Sequence, residues 1–461
     1  MQLLEKSMLA AAQLVAPFSY PTSFERLDID DNRAVWIEGT PDYRPTPSLR
    51  GTIQADLAII GGGFTGTSMA YHFSQRYPDK KVVLLEAKTL ANGASGRNGG
   101  MVLNWINGVE DASPEMTRLI YDTTRGGIDL IESIIQKHNL PVSFRRDGSL
   151  VNHTSAERAE YAHHKVEVYN QLGIPIQFLD KAALKKVIDI QDSYGATFDP
   201  TEGQLNGAQF VRCLRPILEQ QGVIIHENTP VLKIHEGSTI TLTTPEGEIQ
   251  AKAIVLGTNG YTGKLGYFRK AIFPLHSHVF ATAPLSSDQL ARIGWHQAAG
   301  YSDDLDRISY SSLSREGRIV FGGGSNDSYD YLFNNRTSYP GLSDKAFRTM
   351  HSTMLKYLPT LRDVPITHKW AGTLAISFKR NCAMGVMGAH RNVYYALGYS
   401  GHGVVLANLA GKVLTDIYSG DDQQWRKLPF YHADFAPIPL EPFRWIGYQI
   451  FTRLTGRSPR L

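Results

Sequence analysis

The stretch LAIIGGGFTGTS, residues 57–68, constrains the fold of this chain more than any other. A short apolar run meets three consecutive glycines and then turns into TGTSMAYHFSQRY, with Met69, Ala70 and Phe73 on one helical face. A second apolar run, KKVVLLEA (80–87), reads as a buried strand ending at Glu86. Strand, helix and strand in this order make a βαβ unit. Three glycines at the handover have two readings: a plain structural turn, or a backbone that a phosphate-bearing ligand must touch.

The spacing Gly61-x-Gly63-x-x-Gly66 favours the second reading, because it follows a strand and opens a helix. Gly61 then permits the tight turn, Gly63 the approach of a pyrophosphate, and Gly66 close helix–strand packing. The N–H groups and dipole at the helix start attract the anion. Glu86, at the end of the next strand, is placed to accept hydrogen bonds from ribose hydroxyls and to disfavour a 2′-phosphate. A second glycine-rich segment, NGASGRNGGMV (92–102), follows at once. A nicotinamide cofactor has no need of it, whereas a flat flavin ring must lie against backbone with few side chains in the way.

At 461 residues the chain is long for one core, so two domains or one two-lobed unit is expected. A net charge of +3, without basic tracts, argues against a nucleic-acid partner. Cys213 and Cys382 show no CxxC or Cys/His ligand spacing. They read as reduced core thiols, with no disulfide framework and no metal site. No run approaches the length of a bilayer span. MLAAAQLVAPF near the N-terminus reads as a short amphipathic helix rather than a signal segment. FRWIGYQIFTRL near the C-terminus either packs on the protein itself or docks at a membrane interface, self-packing being preferred. The expected location is cytoplasmic, with peripheral membrane contact as the variant.

Residues 1–50 read as an N-terminal arm, extended over 18–50, and 426–461 as a C-terminal extension. Helices are expected over 113–138, in two stretches of 155–190, and over 341–358. A hairpin is expected at 144–154 around Asp147-Gly148. Alternating β-branched and polar residues fill 222–260, the region 271–335 is strand-like and aromatic, and 392–418 returns to strand, glycine turn and helix. No internal repeat is seen. Parallel-type signals thus recur in separated segments around antiparallel-type ones. The expected fold is α/β (α+β overall): a discontinuous Rossmann-like FAD-binding domain from 51–140, 201–270 and 376–425. Residues 141–200 and 271–375 form an inserted, mostly antiparallel β-sheet substrate domain.

ADLAIIGGGFTGTSMAYHF, LLEA, ASGRNGGMV, VLGTNGY and NVYYALGYSGHGV, in this order over roughly residues 40–420, resemble the FAD-dependent D-amino-acid oxidase, glycine oxidase and sarcosine oxidase superfamily. The branch they resemble most is that of gamma-glutamylputrescine oxidase-like proteins. The resemblance implies FAD and oxidation of a C–N bond by hydride transfer to the flavin. It implies that Gly61, Gly63, Phe64, Thr65 and Gly66 hold the pyrophosphate, and that Glu86 with Ala87 meets the adenosine ribose. Ser95, Arg97, Asn98, Gly99, Gly100 and Met101 would run beside the flavin, and the Val231 backbone would meet adenine. Thr258, Asn259 and Gly260 would make the second dinucleotide contact. Gly398, Tyr399, Ser400, Gly401, His402 and Gly403 would lead into a helix whose N-terminus faces the pyrimidine end of the flavin, and Gly372 would return to the flavin.

Flavin amine oxidation asks the protein for orientation and a dry pocket more than for acid–base groups. No catalytic residue is assigned. Candidates for the pocket wall are Tyr261, His276, His278, Arg307, Tyr310 and Trp370. Trp370 reads equally as a core tryptophan, and Arg307 as a carboxylate clamp or a surface ion pair. His276 and His278 share a strand face, as ligand contacts or as ordinary burial. Two departures stand out. Sarcosine oxidases resemble one another in a lysine near flavin N5, but FGGGSNDSYDYLFNN (321–335) has none, so oxygen and a quinone both stand as acceptor. Cys382 is displaced from where a flavin-linking cysteine would sit, so noncovalent FAD is expected. The substrate is a small amine or amino acid.

Overall fold

The computed structural model describes residues 33–109, 112–338 and 341–455. The helix expected at MLAAAQLVAPF lies outside them.

The apolar run Gly51–Ile60 becomes the middle strand of a parallel sheet. Val82–Leu85 pairs with it on one side and Gly247–Leu256 on the other, with Ile60 opposite both Leu85 and Leu256. Ile224–His226 continues the sheet beyond Val82–Leu85, and Val393–Leu397 beyond Gly247–Leu256, both parallel. An antiparallel hairpin, Lys233–His235 and Ile240–Thr243, and the antiparallel edge strand Ala383–Met387 complete eight strands. Parallel strands buried on two faces must be apolar throughout. Leu57, Ile59, Val82 and Leu84 join a core with residues of the helices Phe64–Arg76, Gly207–Gln220 and Gly403–Ser419. Ala58, Ile60, Val83 and Leu85 join a separate core with Leu49, Ile272 and Ala375.

The second sheet has nine strands, in the order Tyr329–Asp330, Ile272–Thr282, Ile319–Gly323, Ser309–Leu313, Gly300–Asp303, Ser149–Asn152, Ala196–Asp199, Gln177–Leu179. Ile366–Ser377 also pairs with the long strand Ile272–Thr282. All contacts are antiparallel except Gly300–Asp303 with Ser149–Asn152. The amphipathic helix Asp344–Tyr357 covers one face through Phe347, Met350, Met354 and Tyr357.

Two local expectations change. Residues 144–154 turn at Gly148, which has φ +85°, but form no hairpin. Phe144–Arg145 pairs with Gly203–Leu205, and Ser149–Asn152 with Gly300–Asp303 and Ala196–Asp199. Two runs this short have little stability as an isolated pair, and each finds a longer-range partner in a different sheet. The arm, expected to be extended, holds a short 3-10 turn at Val35–Gly39 with Trp36 buried. In the C-terminal extension, Phe430 is buried and its carbonyl accepts from Met384 N–H at 2.8 Å, and a helix forms over Phe443–Thr455.

A knot of buried polar groups joins the end of strand Ala196–Asp199 to the helix Pro114–Lys137. Asp199 accepts from Thr201 N–H at 2.8 Å and Tyr121 O–H at 3.2 Å, while Glu202 accepts from Asn104 N–H at 2.6 Å. Burial, with the nearby Asp199 second, pushes the Glu202 carboxyl up to about 8. The unfolded carboxyl titrates near ~4.3. The folded state therefore keeps a proton that the unfolded state loses, so this contribution to stability is complete below ~4 and disappears as pH rises through about 8. Thermal melts are expected to show a melting temperature falling from about pH 6 to about pH 9, with a shallower fall in Glu202→Gln. Equal slopes in the two proteins would contradict this account.

Candidate active site

The C-terminal ends of the parallel strands converge on glycine turns. Gly61 has φ +105°, and a side-chain carbon there would lie 2.7 Å from the Gly257 carbonyl oxygen. At Gly66 such a carbon would overlap the Gly61 carbonyl oxygen and reach 3.2 Å from Ile59 Cγ2. Helix Phe64–Arg76 thus starts in direct contact with the strand before it, its first-turn N–H groups lacking intrahelical acceptors. Gly63 is the N-cap, where a side-chain carbon would lie 2.8 Å from Ser95 Oγ. The same serine accepts from Phe64 N–H at 2.9 Å, and the Phe64 ring packs on Phe210. Ser95 so joins the two glycine-rich segments.

Glu86 follows the strand Val82–Leu85 and precedes Ala87, both partly buried. Its carboxylate accepts from Gly62 N–H at 2.7 Å and Lys88 N–H at 2.9 Å. Burial raises its pKa against those bonds. A carboxylate offers about four lone-pair sites, which leaves capacity to accept from a ribose hydroxyl. Val231 is buried near Thr229, whose N–H donates to the Glu86 carbonyl at 2.8 Å. Thr258, Asn259 and the buried Gly260 form the turn after Gly247–Leu256. The Asn259 side chain accepts from Gly398 N–H at 3.2 Å. Gly398, Ser400 and Gly401 all have positive φ, and His402 is the N-cap of the helix that Gly403 begins. The buried Tyr399 hydroxyl lies 2.8 Å from Thr65 Oγ1, across the glycine turn.

In the second segment, Asn98 Oδ1 accepts from Gly100 N–H at 2.7 Å, and its Nδ2 donates to the Ser95 carbonyl at 2.9 Å. That fold-back carries the chain from Gly99 to Met101 past the second sheet. Arg97 is buried, donating to the Asn92 carbonyl at 2.5 Å and the Ala371 carbonyl at 3.2 Å. Its carbonyl accepts from the buried Trp370 indole at 2.9 Å. A side-chain carbon at Gly372 would meet Arg97 Cβ at 2.9 Å, and one at Gly99 would meet the Tyr310 ring at 2.6 Å. Ser312 Oγ donates to the Gly99 carbonyl at 2.6 Å.

Register separates the six pocket candidates. Residues opposite one another in a sheet share a face, and neighbours along a strand do not. Ser277 is opposite Gly372 and Tyr329, Val279 is opposite Trp370 and Gly322, and Gly322 is opposite Tyr310. Tyr310 and Trp370 therefore share the face that meets Arg97 and Gly99. His276 and His278 point to the other face, buried. His276 Nε2 lies 2.9 Å from the Arg336 carbonyl, and the His278 ring packs edge-on to Phe347. Desolvation lowers the His278 pKa to about 4. Tyr261, in the 3-10 turn Asn259–Leu265, lies beside Gly93. Arg307 donates to Asn326 Oδ1 at 2.8 Å and sits 5.7 Å from the Phe451 ring centre, at the C-terminal helix.

Several contributors were absent from the sequence reading. Trp36 Nε1 donates to the Asn98 carbonyl at 2.7 Å, so the arm braces the second glycine segment. The fully buried Glu227 accepts from Tyr43 O–H at 2.8 Å, Thr46 N–H at 2.7 Å and Leu90 N–H at 2.6 Å. The C-terminal segment FRWIGYQIFTRL, for which packing on the protein is the preferred expectation, forms the helix Phe443–Thr455. Tyr448 packs on Phe273 and Tyr331 and donates to the Tyr329 carbonyl at 3.1 Å. Phe273 is four positions before Ser277 on one strand, hence on the same face and about 13 Å away. The helix thus closes the end of the face that meets Gly99.

These turns, with an acid at the second strand end, form a glycine-lined cradle abutting an antiparallel sheet. Residues 56–417 match the FAD dependent oxidoreductase model, and the chain belongs to this family, called DAO. It is 27% identical over 394 residues to the probable oxidoreductase OrdL of Haemophilus influenzae, covering 82% of this chain and 86% of that one. It is 26% identical over 408 residues to gamma-glutamylputrescine oxidoreductase of Escherichia coli, covering 87% and 90%. The crystal structure of glycine oxidase from Geobacillus kaustophilus superposes with a TM-score of 0.70 at 18% identity, covering 82% of this chain and 98% of that one. The glycine cradle and Glu86 fit the FAD that the family uses.

Gly66→Ala is expected to abolish flavin retention, since its methyl group overlaps backbone that cannot move aside. The absorbance of the purified protein reads this directly, and a fully yellow variant would refute the packing role. Glu86→Ala is expected to weaken FAD by roughly 1–3 kcal/mol, measured by titrating apoprotein. An unchanged Kd would remove Glu86 from the site.

Proposed function

We propose that the protein oxidises the C–N bond of a small amine or amino acid, with a γ-glutamylputrescine-like amine ranked first and an α-amino acid second. The observation that carries this reading is the close contact of Arg97 and Gly99 with Tyr310, Trp370 and Gly372, where the second glycine segment meets the antiparallel sheet. The amine named for the Escherichia coli relative supports the ranking. Bound FAD supplies the two-electron acceptor for the substrate hydride, leaving an imine that water hydrolyses. Gly61, Gly63, Phe64, Thr65 and Gly66 would hold its pyrophosphate, Glu86 its ribose, and Ser95 to Met101 with Gly372 its flavin. Cys382 is buried and its thiol pushed up to about 12 by desolvation. An unionised thiol is a poor nucleophile, which supports noncovalent FAD.

The chain's own residues orient the substrate and exclude water. Burial pushes the Tyr310 phenol up to about 12, so at neutral pH it is a hydrogen-bonding wall rather than a base. Trp370 is fully buried and holds Arg97 in position through its indole N–H. His276 and His278, on the opposite face, act on the pocket only through the strand that carries them. The proposed units are the discontinuous cofactor domain and the antiparallel substrate domain, with oxygen reduced to hydrogen peroxide. The alternative is a membrane-linked dehydrogenase or deaminase passing electrons to a quinone, which the missing lysine in 321–335 leaves open.

Anaerobic addition of amines and amino acids to the holoenzyme is expected to bleach the flavin band with one of them, and admitting air to release peroxide. Bleaching without peroxide would select the quinone reading, and no bleaching with any amine would refute both. Acid precipitation is expected to leave the flavin in solution; a yellow pellet would refute noncovalent binding.

A further inference from the structure

The C-terminal helix Phe443–Thr455 has two distinct faces. Its inner face is fixed to the protein. Arg444 donates to Asn335 Oδ1 at 2.7 Å and the Arg269 carbonyl at 2.6 Å, and the Thr452 carbonyl accepts from Asn326 Nδ2 at 2.7 Å. Tyr448 and Phe451 turn toward the sheet as described above. The outer face carries Phe443, Ile446, Ile450 and Leu454, which are 52, 43, 51 and 68% exposed. Steps of three, four and four residues put these side chains in one stripe of a helix about 20 Å long. Phe333, 52% exposed, packs edge-on to Trp445 and widens the apolar surface at one end. Exposed side chains of this size in one line mark an interaction surface.

Charge selects the occupant. Arg453 is exposed on the flank of the stripe. From Pro442 to Leu461 the sequence has Arg444, Arg453, Arg457 and Arg460, and no acidic residue. Arg444 is committed inward; the others leave the segment cationic. A second copy of this face would bring like charges together, which disfavours pairing. An anionic lipid surface matches both features: acyl chains for the stripe and headgroups for the arginines. Among the described residues no helix is long and apolar enough to cross a membrane. Contact therefore has to be tangential, and a helix tied down along its inner face presents itself in that way.

We propose that Phe443–Thr455 is an interfacial helix that docks the folded protein on anionic lipid bilayers, with Phe443, Ile446, Ile450 and Leu454 entering the headgroup–acyl boundary. The inference is independent of the substrate and of the electron acceptor.

The test is sedimentation of the full-length holoenzyme with vesicles of phosphatidylcholine, alone or mixed with phosphatidylglycerol. Binding to the mixed vesicles is expected to be about tenfold tighter or more and to weaken in high salt. The variant combining Ile446→Ser, Ile450→Ser and Leu454→Ser is expected to lose at least about tenfold in binding. Its flavin content and melting temperature, measured alongside, are expected to stay those of the parent because the three side chains are exposed. Absence of parent binding to mixed vesicles would overturn the proposal, as would a folded triple variant that binds like the parent. A concentration-dependent dimer that the triple variant abolishes, without vesicle binding, would overturn it in favour of an interface between copies.

Discussion

The close approach of helix Phe64–Arg76 to its surroundings is the constraint on which this architecture depends. On one side Gly66 lies against the Gly61 carbonyl, and on the other Gly411 lies against the backbone of Ser68. Helix Gly403–Ser419 therefore packs on the first helix at backbone distance, and the Ser68 hydroxyl reaches the Asn408 carbonyl between them. Interiors packed this tightly pass displacement on rather than absorb it. The turns that follow from these contacts, at Gly61, Gly257 and Gly398, sit within reach of one another because the two helices cannot separate.

The parts of the fold that announce themselves in the sequence are those whose partners are close along the chain. The βαβ unit around Gly61, the apolar strand before Thr258 and the strand–turn–helix at 392–418 each carry their own periodicity. Residues whose role depends on distant partners do not. Phe144–Arg145 and Ser149–Asn152 flank a good turn signal at Asp147-Gly148, yet they belong to different sheets because their partners lie far off in sequence. Alternation shows that His276 and His278 share a face. Which face that is depends on helix Asp344–Tyr357, which covers them, and on Arg97 and Gly99, which meet the other side. Trp36, Tyr43 and Glu227 carry no local signal, since their contacts join the arm to segments well over a hundred residues away in the case of Tyr43 and Glu227.

The antiparallel sheet divides its labour by face. The face with Tyr310, Trp370 and Gly372 meets the second glycine segment, and its glycines let Arg97 and the Tyr310 ring approach the backbone closely. The other face is filled by Phe280, Phe321 and the helix Asp344–Tyr357, which stiffen the strands from behind. Arg307 and Tyr329 connect this platform to the C-terminal helix through Asn326, Phe451 and Tyr448.

The order in which the cofactor cradle is assembled along the chain has a consequence for biosynthesis. The loop at Gly61 emerges well before Val393–Leu397 and helix Gly403–Ser419, which complete its sheet and buttress its helix. Until they arrive, Gly247–Leu256 has an open edge at Ile254 to Leu256, and Ser68 has no helix against it. Nascent chains in that state expose strand edges and apolar helix faces, the conditions under which chaperones are recruited. The cradle should thus become competent for its ligand only after helix Gly403–Ser419 has left the ribosome, and in that respect the site is completed long after its first loop is made.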